Sequence, residues 1–189
     1  MKKLILTSSL LGLALVAVLV ASAALAHGDN NGSGKAKLNG YQETPMSLST
    51  TGKGSFRVKV RSDGLHYTLR YEDLEADATA AHIHLGQRAT SGGVIAFLCS
   101  GQDKPACPAR EGTVTGVIDA ADVTGPASQG IAAGELTEVI RALRAGAVYA
   151  NVHTTKYTGG EIRGQVGHKG HHGKNDDRKH GDRKGKRGK

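Results

Sequence analysis

Tryptophan is absent from these 189 residues and phenylalanine occurs only twice. A core built here rests on Val, Ile, Leu, Ala and the five Tyr rather than on large aromatic anchors. There are only two cysteines, and the Cys-x-x-Cys spacing of a redox or metal pair is missing. Downstream of residue 26 no apolar run approaches the roughly 20 residues that a membrane-spanning helix needs. Gly-x-Ser-x-Gly, His-Glu-x-x-His and phosphate-loop patterns are likewise missing. Gly52-Lys53-Gly54-Ser55 imitates part of a phosphate loop, but it joins strands instead of opening a helix. No Ser, Cys or Asp stands beside a His in the setting of an activated nucleophile. These absences speak against an enzyme.

The two ends differ from the middle. Lys2 and Lys3 precede an apolar stretch centred on Leu10 to Val20, and Ala24-Leu25-Ala26 offers the small residues of a cleavage site. Residues 1–26 are therefore expected to be a secretory signal, against the alternative of a retained membrane anchor. No Cys follows the site, so lipid anchoring is not expected. Export to a periplasmic or extracellular location follows, with no transmembrane segment left after cleavage. His27 would become the new N-terminus and could chelate copper, but Gly28 to Gly34 has the composition of a flexible linker and cannot hold such a site rigid. Residues 27–35 are read as that linker. Residues 168–189 hold nine Lys or Arg, three Asp, four His and five Gly with no apolar side chain, which predicts a disordered basic tail. The tail could contact anionic surfaces such as lipid, cell-wall polymer or polysaccharide. Its four His make at most a loose, unselective metal site.

Once the ends are set aside, the basic balance disappears. The whole chain is +8, yet residues 27–167 carry fourteen basic and fourteen acidic side chains. By charge, the folded part is not a nucleic-acid binder.

Residues 36–167 make one domain. Phe56, Val58 and Val60 alternate with Arg57, Lys59 and Arg61; Ser62-Asp63-Gly64 turns the chain; Leu65, Tyr67, Leu69 and Tyr71 then alternate with His66, Thr68, Arg70 and Glu72. That is a β-hairpin. Further strands are predicted at Ala80–Leu85, Val94–Leu98, Thr113–Ile118, Ala147–Thr154 and Glu161–Val166, with glycine punctuation between them. Leu136, Val139, Ile140 and Leu143 at helical spacing predict one helix from Glu135 to Ala145, stopped by Gly146. The fold class is all-β, an antiparallel sandwich with one short helix. Cys99 and Cys107 bracket seven residues and, in an oxidising compartment, read as a local disulfide.

Three of the strands carry polar residues at period two. His82 and His84 share one face, opposite Ala81, Ile83 and Leu85. Tyr149, Asn151 and His153 share another, and Glu161, Arg163 and Gln165 a third. Alternate strand residues lie about 7 Å apart, so two imidazoles of a His-x-His pair can converge on Zn²⁺ or Cu²⁺. His153 is the natural third nitrogen donor, and Glu161 or Asn151 could orient a ring through its second nitrogen. The competing reading is a hydrogen-bonded polar cluster that fixes sheet register without metal. His66, beside Thr68 and Arg70, reads as a solvated strand histidine.

Ala81-His82-Ile83-His84-Leu85-Gly86, Gly92-Gly93-Val94, Gly112 to Ile118, Tyr149-Ala150-Asn151-Val152-His153-Thr154 and Gly160 to Gln165, with Leu38 to Pro45 before them, together resemble the CHRD domain. That domain is named for its repeats in chordin and also occurs singly in exported bacterial proteins. The family usually shows Val after the motif Tyr, where this chain has Ala150. The resemblance spans about residues 36–166 and implies an extracellular β-sandwich with Greek-key-like connections and no attached reaction. The His-x-His strand is also similar to the copper ligands of copper/zinc superoxide dismutase. A fourth copper His and a zinc-ligand cluster are lacking, so dismutase activity is not expected. Two functions remain: a non-catalytic binding or structural module of the cell envelope or exterior, partnered by a protein or envelope polymer, and a copper or zinc protein using His82, His84 and His153. A copper redox enzyme is a subsidiary form of the second.

Overall fold

The computed structural model describes residues 32–168. The predicted signal at 1–26, His27, most of the linker and the tail beyond His168 lie outside the described residues. Nine strands form one all-antiparallel sheet, and a single α-helix lies between the sixth and seventh. They are β1 (Ser33–Asn39), β2 (Lys53–Arg61), β3 (Gly64–Glu72), β4 (Ala78–Leu85), β5 (Val94–Cys99), β6 (Gly112–Ile118), α1 (Leu136–Arg144), β7 (Val148–Thr154), β8 (Ile162–Gln165) and β9 (Gly167–His168). The strand order is β5-β4-β7-β8-β1-β2-β3-β6, with β9 pairing β1.

The sheet bends so that its two halves pack face to face. Leu38, Phe56, Val58, Leu65 and Leu69 from β1, β2 and β3 meet Ile83, Ile95, Leu98, Val152 and Ile162 from β4, β5, β7 and β8, all 3% exposed or less. Period-two alternation supplies this core, because each strand sends its apolar set inward and its polar set outward. The hairpin of β2 and β3 turns at Ser62-Asp63, with Gly64 at φ +139°, a backbone state that a side chain resists.

The ends of the bent sheet, β5 and β6, come close without pairing, so a nearly closed barrel has one seam. Cys99 at the end of β5 is disulfide-bonded to Cys107 in the approach to β6. Lys104 crosses the same seam, donating to Val117 O at 3.0 Å and pairing with Asp122 at 2.7 Å. Tyr67 of β3 reaches through the interior to donate to Leu98 O of β5 at 2.7 Å.

The helix runs one residue short of its expected span at each end. Val139 and Leu143 are buried, Leu136 and Ile140 are partly buried, and Gly146 at φ +69° ends it. Strand ends shift by a residue or two, as where β4 begins at Ala78 and β8 covers only Ile162–Gln165, and two domain boundaries differ from expectation. β1 begins at Ser33, so Ser33–Lys35 are strand rather than linker; Gly34 and Lys35 pair with Val58 and Arg57. His168, expected to open the tail, pairs with Gly34 through its backbone in β9. No helix among the described residues is long and apolar enough to cross a membrane.

Candidate metal centre

Pairing in register carries the polar residues of β4, β7 and β8 onto one outward face. His82 lies opposite Asn151, His84 opposite Tyr149, Asn151 opposite Arg163, and Tyr149 opposite Gln165. Ala80 lies opposite His153 in the same unbroken register, so His153 shares the face of the pair on β4. The expected convergence of His82, His84 and His153 is present: each offers a ring nitrogen within 4.8 Å of the others. Ring centroids stand 4.9 Å apart for His82 and His153, 5.5 Å for His82 and His84, and 6.3 Å for His84 and His153.

Connecting segments roof this face: Glu43, His84, Tyr149, Asn151 and Arg163 are buried, and His82 and His153 are partly buried. The Gly86–Gly93 loop is held by Arg163, whose guanidinium donates to Gln87 O at 3.0 Å and Thr90 O at 2.7 Å. Gln165 secures the loop's start, donating to Gly86 O at 2.9 Å. Tyr149 hydroxyl accepts from Gly92 N at 3.1 Å. The segment after β1 adds Glu43, whose carboxylate accepts from Asn151 Nδ2 at 2.9 and 3.0 Å. Thr44 accepts a further hydrogen bond from Arg163.

The hydrogen bonds fix which nitrogens are bare. His84 Nδ1 donates to Gly92 O at 3.0 Å and His153 Nδ1 donates to Thr158 O at 2.9 Å. A carbonyl can only accept, so both Nδ1 atoms carry the proton and each neutral ring keeps its lone pair on Nε2. His153 Nε2 then accepts from His82 Nδ1 at 3.2 Å. Nε2 of His82 and Nε2 of His84 are buried with no hydrogen-bond partner. Backbone carbonyls holding Nδ1–H groups are the outer support that ligating histidines require.

Burial also keeps the rings neutral. It pushes His82 down to about 3, helped by the neighbouring His153 and His84. His84 falls to about 4, mainly through burial, with His153 and Arg163 adding to the shift against the Gly92 hydrogen bond. His153 is lowered by burial against its bond to Thr158. Ligands that hold no proton at neutral pH present no competition to a metal. Around them, Phe97 meets the His82 ring edge-on at 4.5 Å, and Tyr149 stacks on His84 at 4.7 Å. The Arg163 guanidinium lies 3.6 Å from the centre of the Tyr149 ring, so cation, phenol and imidazole are held together.

A tetrahedral ion with Zn–N of 2.0–2.1 Å separates its donors by roughly 3.3 Å, so the widest pair closes by about 1.5 Å at most. Among the described residues no fourth His, Cys, Asp or Glu joins the group, so a tetrahedral ion held there would need one further ligand.

Two expectations need correction. Glu161 does not orient a histidine: its Oε1 accepts from Thr50 Oγ1 at 2.7 Å and Glu75 N at 2.8 Å, at the end of the sheet. Asn151 spends its amide on Glu43. The ring-orienting role falls to the Gly92 and Thr158 carbonyls, which no side-chain pattern announces. Glu43 is a member of this face that residue spacing does not reveal. Burial raises its carboxyl to about 7, opposed by the Asn151 hydrogen bond and the Arg163 charge.

No curated protein and no solved structure matches the chain significantly. The family model of the CHRD domain matches residues 34–166, the span of the folded sheet from β1 to the residue before β9. The chain belongs to the CHRD domain family.

Proposed function

We propose that this CHRD protein works outside the cytoplasm as a non-catalytic binding module whose centre is a copper or zinc ion held by His82, His84 and His153. One observation carries the reading: the buried Nε2 atoms of His82 and His84 lack any partner in a group where backbone carbonyls pin the His84 and His153 rings. An orphaned buried nitrogen costs on the order of 1–3 kcal/mol, which a metal bond removes. Three imidazoles suit both metals, and neither thiolate nor carboxylate narrows the choice. The Cys99–Cys107 disulfide supports an oxidising compartment. A fourth position on such an ion would admit water or a ligand, and no reaction is assigned to it.

A second reading has its own support. The His82–His153 hydrogen bond satisfies one nitrogen on each ring without an ion, as a register-fixing polar cluster would. Metal analysis separates the two. The full chain, with His168, His171, His172 and His180 replaced by Asn to silence the tail, is loaded with Cu²⁺ or Zn²⁺, desalted and assayed. Retention of one ion per chain, abolished by His82→Ala/His84→Ala, is expected. Absence of retained metal together with an unshifted Tm would refute the centre and leave the cluster reading.

A further inference from the structure

The balanced charge of the domain conceals a segregation. Seven of its fourteen cationic side chains, Lys35, Lys37, Lys53, Arg57, Lys59, Arg61 and Arg70, lie on the outward face of β1, β2 and β3, and all seven are exposed. Acidic groups stand only at the margins: Asp63 in the hairpin turn, Glu72 and Asp73 where β3 ends, Glu111 before β6. Lys53 is answered there, by Asp73 at 2.5 Å and Glu72 at 3.5 Å. The other six have no ion-pair partner among the described residues.

Register makes the crowding specific. Lys35 sits directly opposite Arg57, and Arg57, Lys59 and Arg61 follow one another along β2 on the same side. Like charges directly opposed across strands destabilise a sheet, so folding alone does not favour this arrangement. The face is hollowed into an open trough of about 1210 Å³ lined by Lys37, Ser55, Arg57, Thr68 and Arg70, with Glu72 and Glu111 at one end. Hydroxyls therefore alternate with cations along it.

We propose that this trough binds a linear acidic polysaccharide, its carboxylates on the cations and its sugar hydroxyls on Ser55, Thr68 and Thr113. Charge complementarity excludes two internal occupants. The segment after β9 carries nine Lys or Arg, and a second copy would bring the same face; both are repelled. Single-stranded nucleic acid is disfavoured because the outward residues of β1, β2, β3 and β6 include no Tyr or Phe on which bases could stack. The exposed large apolar residues, Tyr41 and Met46, lie on the segment between β1 and β2, so the trough has nothing to insert into a bilayer.

The test is fluorescence anisotropy of a labelled polyuronate oligosaccharide with the full chain, titrated at several NaCl concentrations. Lys37→Thr/Arg57→Thr/Arg70→Thr is expected to weaken binding by about tenfold or more. It should also flatten the logarithmic salt dependence by roughly one unit for each cation removed. Arg110→Thr/Arg141→Thr/Arg144→Thr removes equal charge elsewhere and is expected to bind within about twofold of the parent. Equal weakening in both variants, or none in the first, would mean that net charge or the tail binds the polymer, and would overturn the proposal. So would tighter trough-dependent binding of an oligothymidylate or of phosphatidylglycerol vesicles. Circular dichroism and Tm confirm that both variants fold.

Discussion

Replacing Glu43 by Gln isolates the energetic cost of a carboxyl roofed over in the polar core. Glu43 is 7% exposed and shares its oxygens with Asn151 Nδ2, yet burial lifts its pKa from 4.5 to about 7. Between those values the folded state holds a proton that the unfolded state has released. Stability therefore falls as pH rises through the window, by up to about 1.4 kcal/mol per pH unit and roughly 3 kcal/mol in all. A Gln stays neutral and can still pair with Asn151, whose Oδ1 lacks a partner and can accept from the new amide. The measurement is urea unfolding of both chelator-treated chains from pH 4.5 to 8.5. The buried histidines titrate with opposite sign, but both chains contain them, so they cancel in the difference. Glu43→Gln should gain on the parent steadily from pH 4.5 and level off above pH 7, at about 3 kcal/mol. A difference that stays flat would show that the carboxyl ionises normally, and the dry, roofed environment inferred for the face would be wrong.

Other consequences can be checked alongside. The apo chain should lose stability as pH falls below about 6.5, since unfolded imidazoles take protons there that His84 and His82 refuse until about 4 and 3. His82→Asn/His84→Asn should flatten that acid slope in urea titrations, and an unchanged slope would place the lability elsewhere. Cys99→Ser/Cys107→Ser opens a loop with sequence separation 8 and should cost roughly 2.5 kcal/mol, read as a lower Tm under non-reducing conditions. Metal retention should survive that change, because Cys99 lies with Ala81 in the apolar core, on the opposite face of the sheet from the histidines. Tyr67→Phe leaves the Leu98 carbonyl buried without its donor and should cost about 1–2 kcal/mol by denaturant unfolding. A negligible effect would mean that water replaces the hydroxyl.

The histidine face is legible in residue spacing. His82 and His84 stand at period two, and His153 lies on a strand whose apolar set is Val148, Ala150 and Val152, so alternation alone directs three imidazoles to one side. The hairpin and the helix show themselves in the same way, through periods of two and 3.6. β1 does not, because Lys35-Ala36-Lys37-Leu38 offers two inward residues, one of them only a methyl group, beside a glycine-rich run. Glu161 misleads for another reason: alternation puts it with Arg163 and Gln165, but it precedes β8 and answers to Thr50 and Glu75, distant in sequence. Glu43 sits in a segment without periodicity, so burial beneath a fold of the chain cannot be read from its neighbours. Charge segregation is hidden by the net value itself, which sums to zero whatever the faces hold.

The order of strands has a consequence in time. β1, the first strand, lies at the centre of the sheet and is flanked by β2 on one side and by β8 and β9 on the other, where Asn39 meets Arg163 and Gly34 meets His168. A chain emerging from its amino end, whether from a ribosome or through a membrane channel, holds its central strand open on one side until β8 and β9 arrive. Closing contacts across some 130 residues of sequence makes completion slow and leaves an exposed strand edge to guard meanwhile. The last turn of thread therefore decides when the two halves join, and a chain arrested a few residues short of β8 should be captured by chaperones or degraded rather than accumulate as a folded fragment.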